Sequence, residues 1–278
     1  MKSRFTWLRH VAAFVVLGLL VTTIGAACSD DGDGEASAEE IAAVEEVINQ
    51  TLGSGPDEAD FFFAHVTDNL IENVLFSTRE DCMADAAECI GEPIPPESIA
   101  DTAIDGDTAT ATVALDFGTV QMGLVSEDDV WMVDSLQATS DEVPEGATNV
   151  DLALTEFAFD FDADAIPSDG NFTFSVSNDG GQVHEVIVMP IPAEGTLDEA
   201  LETVGEDTPP AGFKVFIVPD QEVDMAFEAP LEAGRYAMVC FFPDTTDPEG
   251  VPHAEKGMVS EFTIGEGAAP TGEDAATP

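Results

Sequence analysis

Basic side chains are the scarcest feature of this sequence. The 278 residues include seven Lys and Arg against 57 Asp and Glu, which gives a formal net charge of −50 at pH 7. The sequence has no cluster of basic residues that could neutralise phosphate groups, and so acidic a chain repels a polyanion. Nucleic acid is therefore excluded as a partner. Because 44% of the residues are apolar, the composition nevertheless predicts a folded protein.

Catalytic motifs are also missing. The sequence contains no H-E-x-x-H, no phosphate-binding glycine loop and no G-x-S-x-G. It has only four histidines from which to build an acid–base site or a metal site. These absences favour a carrier or a binding protein over a hydrolase.

The N-terminus has the pattern of an export signal. Three basic residues precede an apolar run, residues 11–24, that is short for a bilayer span and ends in small residues before Cys28. A Cys after small residues resembles the lipobox of bacterial lipoproteins, although Gly25 stands where Leu is commonest. We predict a signal peptide over 1–27 and a lipidated Cys28 with an acidic tether over 28–36. The alternative is an ordinary signal that leaves Cys28 as a free thiol.

With or without the lipid, the protein is expected to be exported. With the lipid it would be anchored on the outward, extracellular or periplasmic, face of the cell membrane. Cleavage would remove three basic residues and no acidic residue, so the mature chain would be still more negative.

The remaining cysteines separate into a pair and a single residue. Cys82 and Cys89 lie close together in a polar stretch and predict a local disulfide that closes a small loop. Cys240 is left unpaired within the apolar sequence RYAMVCFF. An exported protein that keeps one unpaired Cys in a strand usually uses it chemically, so Cys240 is the first candidate for a functional residue.

The first half of the chain predicts helices followed by a sheet. A capping box predicts a helix over 37–50, and helical periodicity continues over 57–76. Alternating apolar residues then predict strands over 98–104, 108–115, 119–126 and 130–136. Residues 37–138 are thus predicted to form an α+β domain with helices packed on a curved antiparallel sheet. The element order resembles the nuclear-transport-factor-two-like superfamily, which includes both enzymes and binding modules.

The second half predicts an all-β domain. Residues 139–149 are polar, contain Pro and Gly, and form the predicted linker. From 150 to 265, short strands separated by turn residues are typical of a Greek-key sandwich, with one short helix over 197–204. The predicted strands are 150–157, 171–177, 183–189, 213–218, 222–227, 234–241 and 258–264. Residues 266–278 are predicted to form a disordered tail.

Four side chains of the second half form a soft donor set. His184 enters a strand after a tight turn, Cys240 ends a strand, and His253 and Met258 follow on a returning loop. Thiolate and thioether favour copper, two imidazoles stabilise Cu(II), and two His with one Cys and a weak axial Met are the ligands of a blue-copper site. In a sandwich, such a loop can bring Cys, His and Met to one pole. The sequence therefore predicts one type 1 copper ion.

Residues 150–265 resemble the cupredoxins, the plastocyanin and azurin family of blue-copper electron carriers. The resemblance lies in an F-x-F strand, N-x-G before His184, G-x-Y before Cys240, and H-x4-M at the end. It implies that His184 and His253 are the imidazole ligands, Cys240 the thiolate and Met258 the axial thioether. Twelve residues separate Cys240 from His253, more than in most single-domain carriers. The ending VPHAEKGM resembles that of copper nitrite reductase domains.

One-electron transfer at the cell surface is the function that this resemblance implies. The electron would pass through the edge of His253, ringed by Val251, Pro252 and either Phe241 or Phe242. Four protein ligands leave no open coordination position, and too few histidines remain for a second, three-histidine copper site. We therefore expect a carrier and not an enzyme, with an oxidoreductase role left open. The alternatives are copper capture, buffering or delivery, and a metal-free binding module.

The expected partners follow from this interpretation. They are a redox protein, or a copper donor or acceptor, at the cell envelope, together with the membrane through the lipid anchor. The acidic residues are dispersed in runs of two or three, which indicates a solvated surface and not one binding patch. Such a surface is expected of a protein that works in high salt, and at low salt it would favour cationic partners.

Overall fold

The computed structural model describes residues 36–202 and 209–265. The predicted signal peptide, the lipid anchor on Cys28, nearly all of the tether and the tail over 266–278 lie outside the described residues. Within the described ranges, no helix combines the length and the apolar character needed to cross a membrane.

Five α-helices open the described part of the chain, and a four-stranded sheet follows them. In chain order these elements are α1 (Ala38–Gly53), α2 (Ala59–Ala64), α3 (Asp68–Asn73), α4 (Arg79–Ala84), α5 (Ala86–Cys89), β1 (Ser98–Asp105), β2 (Thr108–Leu115), β3 (Gly118–Glu127) and β4 (Val130–Ala138). The strands form an antiparallel sheet in the order β1-β2-β3-β4, here called the first sheet. Buried and exposed residues alternate along β2, so one face of this sheet packs on the helices. The predicted helices and antiparallel sheet are confirmed.

The capping box predicted at the start of α1 is present. The Glu40 N–H donates to Ser37 Oγ at 3.2 Å, and the Ser37 N–H donates to Glu40 Oε2 at 2.8 Å. Two orphan donors of the first turn are thereby satisfied. Val44 and Ile48, one turn apart, are fully buried and anchor the helix to the core.

The continuous helix predicted over 57–76 is wrong, because the chain leaves the helical path between α2 and α3. Val66 pairs with Val133 of β4 in an isolated parallel bridge. The Thr67 N–H donates to Val133 O at 3.0 Å, and Thr67 Oγ1 accepts from the Leu70 N–H at 3.2 Å to cap α3. The apolar period is similar on both sides of the break. The interruption is therefore set by pairing with β4 and not by local propensity.

Over residues 148–202 and 209–265, the second half contains eight strands and one α-helix. They are β5 (Thr148–Thr155), β6 (Ala158–Phe161), β7 (Phe172–Asn178), β8 (His184–Ile191), α6 (Leu197–Glu202), β9 (Gly212–Ile217), β10 (Glu222–Met225), β11 (Gly234–Val239) and β12 (Val259–Ile264). They form a second sheet, β10-β7-β5-β6, and a third sheet, β12-β11-β8-β9. All pairs are antiparallel except β5 with β7. The rings of Phe174 and Phe262 meet at 6.1 Å between the two sheets, which face each other as predicted.

Phe157 departs from the predicted strand over 150–157. β5 ends at Thr155, and Phe157 lies in the turn before β6 with a φ of +66°. A positive φ is rare for a bulky side chain and ends the extended backbone. The turn directs the Phe157 ring toward the ligands described below.

The two halves of the chain share one hydrophobic core. The ring of Phe76, after α3, meets that of Phe242 at 5.0 Å. The segment predicted as a linker is also bound to the second half. Lys214 Nζ of β9 donates to Thr139 O at 3.0 Å and contacts Asp141 Oδ1 at 2.6 Å.

Candidate metal centre

Three of the predicted ligands meet at one end of the two-sheet half. Cys240 Sγ lies 3.4 Å from His253 Nδ1 and 3.9 Å from His184 Nδ1, and all three donor atoms lie within 4.8 Å of one another. All three residues are fully buried. An ion that binds nitrogen and sulfur donors at about 2.0–2.3 Å holds them up to roughly twice that distance apart. The spacing of the donors therefore fits a shared metal ion.

Met258 joins this group through the backbone. The Met258 N–H donates to His253 O at 2.9 Å, and the Cys240 N–H donates to Met258 O at 3.3 Å. The Ala254 N–H donates to Cys240 O at 2.8 Å. Met258 is fully buried. The returning loop thus fixes Cys240, His253 and Met258 relative to one another through backbone hydrogen bonds.

His184 is positioned by Asn178, the first residue of the N-x-G motif. The Asn178 carboxamide is buried and donates to Gln182 O and to Ile217 O, both at 2.8 Å. Its oxygen accepts from the Gly180 N–H at 2.9 Å. One side chain therefore folds the turn that leads into β8 and ties it to the end of β9.

Gly180 is required by a close approach. A Cβ at this position would lie 3.0 Å from His184 Nε2 and 2.8 Å from Glu156 Oε1. The Glu156 carboxylate occupies that place because it accepts from the backbone N–H groups of Gly181 and Gln182. A side chain at Gly180 would displace either the carboxylate or the imidazole.

The long ligand loop is closed by a polar network. Lys256 Nζ contacts the carboxylates of Asp244 and Asp247, and Gln182 Nε2 donates to Asp244 Oδ1 at 3.1 Å. Burial alone would raise the pKa of Asp244, but hydrogen bonds from Lys256 and Thr246 outweigh it and hold this pKa well below its usual range. Asp244 is therefore ionised, and it fastens the loop to Gln182, which lies two residues before His184.

Burial also governs the protonation of the candidate ligands. Desolvation, assisted by the nearby His253, lowers the pKa of His184 to about 4, and desolvation lowers the pKa of His253 as well. Both imidazoles are therefore neutral at pH 7, the form that binds metals. Burial, with a further contribution from Glu185, raises the pKa of the Cys240 thiol well above its usual value. Metal binding to the thiolate would release this proton.

Glu185 was not among the sequence-predicted residues. It is fully buried next to His184, and its Oε1 accepts from the Phe241 N–H at 2.8 Å. Burial raises the pKa of Glu185 to about 8. The signal in the sequence is a single acid inside the otherwise apolar strand VHEVIVM, since a charged residue is rarely buried without a specific role.

The predicted electron path through His253 needs a correction. His253 is fully buried, and the Phe157 ring packs edge-on to its ring at 5.3 Å. Val251 and Pro252 are half-buried above it. A protein partner would therefore contact these neighbours, because no edge of His253 reaches the surface.

No family model and no curated protein matches the chain. Solved structures similar to parts of it include the dithionite-reduced auracyanin of the photosynthetic bacterium Roseiflexus castenholzii. That protein is 21% identical, and the match covers 43% of this chain and 98% of auracyanin with a TM-score of 0.29. The multicopper oxidase McoA of the hyperthermophile Aquifex aeolicus is 13% identical, and the match covers 56% of this chain and 45% of McoA with a TM-score of 0.26.

The class of this segment is defined by its own architecture and side chains. Two facing four-stranded sheets carry two neutral imidazoles and one thiol that converge at one end. The predicted resemblance to cupredoxins is thereby confirmed for the second half of the chain. Soft sulfur combined with imidazole is a donor set suited to copper.

Proposed function

We propose that the protein is an exported, lipid-anchored type 1 copper protein that carries single electrons at the cell surface. Its ligands to one copper ion would be His184, Cys240, His253 and Met258. The observation that supports this most directly is the convergence of both Nδ1 atoms on the buried Cys240 sulfur. When bound, copper supplies a one-electron couple between Cu(II) and Cu(I).

The chain's own residues keep the donor set rigid and dry. Backbone N–H groups of Glu185 and Phe242 point at Cys240 Sγ and offset part of the burial that disfavours the thiolate. Asn178 fixes the turn before His184, and Lys256 fixes the ligand loop. Full burial of the three donor residues excludes water. A buried site with fixed donors suits electron transfer better than catalysis at the metal.

The proposed organisation of the whole protein follows the sequence. A signal peptide (1–27) and a lipidated tether (28–36) would precede an α+β domain (37–138), a linker (139–149) and a cupredoxin-like domain (150–265). The export pattern of the N-terminus and the Cys82–Cys89 disulfide favour a location outside the cytoplasm. The partner would be a redox protein of the cell envelope, attracted at low salt through a cationic surface.

The test is the visible spectrum of the purified protein loaded with copper. We expect an intense thiolate-to-copper absorption band and its complete loss in Cys240→Ser. The double variant Cys82→Ser/Cys89→Ser, which leaves the ligands intact, is expected to keep the band. Absence of the band in the unaltered protein, or its survival in Cys240→Ser, would contradict the proposal.

Copper capture or delivery is a second candidate, favoured by the complete burial of His253. A ligand with no exposed edge slows electron exchange with a partner, which a protein that captures and stores copper does not need. The two functions are separated by mixing the reduced, copper-loaded protein with an oxidised cytochrome. Electron exchange on the millisecond scale supports the carrier, whereas its absence together with copper transfer to a Cu(I) chelator supports delivery.

A further inference from the structure

A cavity of about 700 Å³ lies between the helical half of the chain and the third sheet. Both halves contribute to its wall, which is mostly apolar and includes Phe62, Leu75, Met122, Ile187, Phe216 and Phe242. Small-molecule sites in proteins are commonly about 300–1,000 Å³ and have just such apolar walls with a few polar groups. The cavity is therefore large enough to hold an organic ligand.

Two residues that line the cavity each have a buried side-chain oxygen with no hydrogen-bond partner among the described residues. These oxygens are Thr51 Oγ1, from α1, and Glu185 Oε2, from β8. Thr51 is 3% exposed and Glu185 is fully buried. Buried polar groups are nearly always paired, because an unpaired one is destabilising. Two such atoms on residues that line one cavity indicate that a ligand supplies the missing partners.

Strand geometry directs Glu185 toward this cavity. Side chains alternate along β8, so Glu185 and Ile187 lie on the opposite face of the third sheet from His184 and Val186. Ile187 lines the cavity as Glu185 does, whereas His184 and Val186 do not. Glu185 thus belongs to the cavity side of the sheet, although its neighbour in sequence belongs to the metal centre.

The charge of the wall restricts the chemistry of the ligand. Four acidic residues contribute to the wall, and of the described residues that line it none is Lys, Arg or His. The four are Glu88, Glu92, Asp116 and Glu185. A carboxylate or phosphate group would be repelled by Glu88, Glu92 and Asp116, which are exposed at the edge of the cavity, and would find no cationic partner in the wall. A hydroxyl group can both donate and accept, so it can pair with a carboxyl or with a threonine hydroxyl.

We propose that this cavity binds an uncharged amphiphile, a molecule with an apolar body and a hydroxyl group that hydrogen-bonds to Glu185 or Thr51. The site lies next to the metal centre but does not depend on copper. Binding at this site is therefore a function beyond the proposed electron transfer, and either proposal can be wrong while the other holds.

The experiment is isothermal titration calorimetry of the purified protein, with and without added copper, using 1-decanol and decanoate as probes of equal chain length. We expect one saturable site per chain for 1-decanol and an affinity for decanoate at least tenfold lower. Absence of saturable 1-decanol binding, or equal affinity for the two probes, overturns the proposal.

Two tryptophan variants test whether 1-decanol binds in this cavity. Leu75→Trp places an indole in the cavity and is expected to abolish 1-decanol binding. Val130→Trp, at a side chain that is 41% exposed and does not line the cavity, is the matched control and should bind normally. Unchanged binding in Leu75→Trp would place the probe elsewhere and overturn the proposal.

Thr51→Val removes one unpartnered oxygen, whereas Glu185→Met removes the unpartnered Oε2 together with Oε1, which accepts from the Phe241 N–H. Loss of about tenfold in 1-decanol affinity in either variant, the effect of one hydrogen bond, supports the proposal. Thr51→Val keeps the side-chain shape and removes an atom that pairs with nothing in the described protein, so folding should be preserved. Unaltered affinity in both variants overturns the assignment of the hydroxyl contact.

Discussion

Several single side chains that bind no metal determine where the ligands of this protein lie. Asn178 is the clearest of them, because one buried carboxamide makes three hydrogen bonds across the turn that precedes His184. Two of the three need an N–H donor, which an aspartate of the same shape cannot provide.

We therefore predict that Asn178→Asp lowers the free energy of unfolding by about 3 kcal/mol, since a buried carboxylate would face two carbonyl oxygens. Copper affinity should fall with it, because the turn no longer fixes His184. Urea denaturation and copper competition measure the two effects. Asn49→Asp, at an exposed helical position, is the control and should change stability by less than about 1 kcal/mol. Equal losses in the two variants would contradict the role given to Asn178.

At the residue scale, the sequence identified the Cys and the two His that converge but not the residues that support them. Cys240 and the two histidines could be predicted because few residue types bind copper and few of them are present. Glu185 and Lys256 could not, because their importance depends on which backbone and which carboxylates lie opposite them in space. Glu185 contacts Phe241, distant in sequence, and no spacing rule connects the two.

At the scale of elements, the conformation of the long ligand loop depends on one cation, Lys256. Lys256 is half-buried and bridges Asp244 and Asp247, so the loop is closed by charge as well as by backbone pairing. Without that cation, two carboxylates would remain close together with no compensating charge.

Lys256→Met is accordingly predicted to lower the free energy of unfolding by about 2 kcal/mol at pH 7 and to speed copper dissociation about tenfold. Arg235→Met, which breaks the ion pair with Glu261 between β11 and β12, is the control. It should reduce stability without changing copper dissociation, which is followed by transfer to a chelator.

The same variant should show a particular pH dependence. The pKa of Asp244 is depressed in the folded state, so its contribution is complete above the unfolded value of about 3.9 and is lost as pH falls below it. The stability difference between Lys256→Met and the unaltered protein should therefore shrink between pH 7 and pH 3. Urea unfolding at the two pH values measures it, and a constant difference would show that the ion pair contributes nothing.

Element types were predicted more accurately than element ends. The meander β1–β4 and the strands of the second half follow from alternating apolar residues, a signal that is local. The break between α2 and α3 and the turn at Phe157 depend instead on contacts with Val133 and on the approach to His253. Such contacts leave no periodic trace in the sequence.

For the molecule as a whole, the large negative net charge determines how stability depends on salt. With a net charge of −50, the folded state concentrates mutual repulsion that the unfolded chain relieves. The Debye length falls from about 10 Å at 0.1 M salt to about 3 Å at 1 M, so added salt should screen most of this repulsion.

We predict that the unfolding temperature rises by about 5–10 °C between 0.1 M and 2 M NaCl. Thermal unfolding followed by circular dichroism measures the change. Sucrose at matched osmolality is the control, because it stabilises compact states without screening charge. The same unfolding temperature at both salt concentrations would refute a surface adapted to high salt.

The packing of the two halves against each other could not be predicted from the sequence. The pattern of apolar residues shows which face of a helix or strand is buried, but it does not show which other element packs against that face. The contacts of Lys214 with Thr139 and Asp141, and the cavity lined by both halves, arise from surfaces that are distant along the chain.

The short spacing of the Cys82–Cys89 disulfide has a consequence for biosynthesis. A ribosome that makes the chain from the N-terminus delivers these two thiols about 150 residues before Cys240. A loop of this length brings its ends together within roughly 10–100 ns, whereas oxidation of a thiol pair takes seconds or longer. The two thiols therefore meet many times before either reaches Cys240, which would favour the local pair in an oxidising compartment. Such local pairing would keep Cys240 out of a wrong disulfide and leave it reduced for its site.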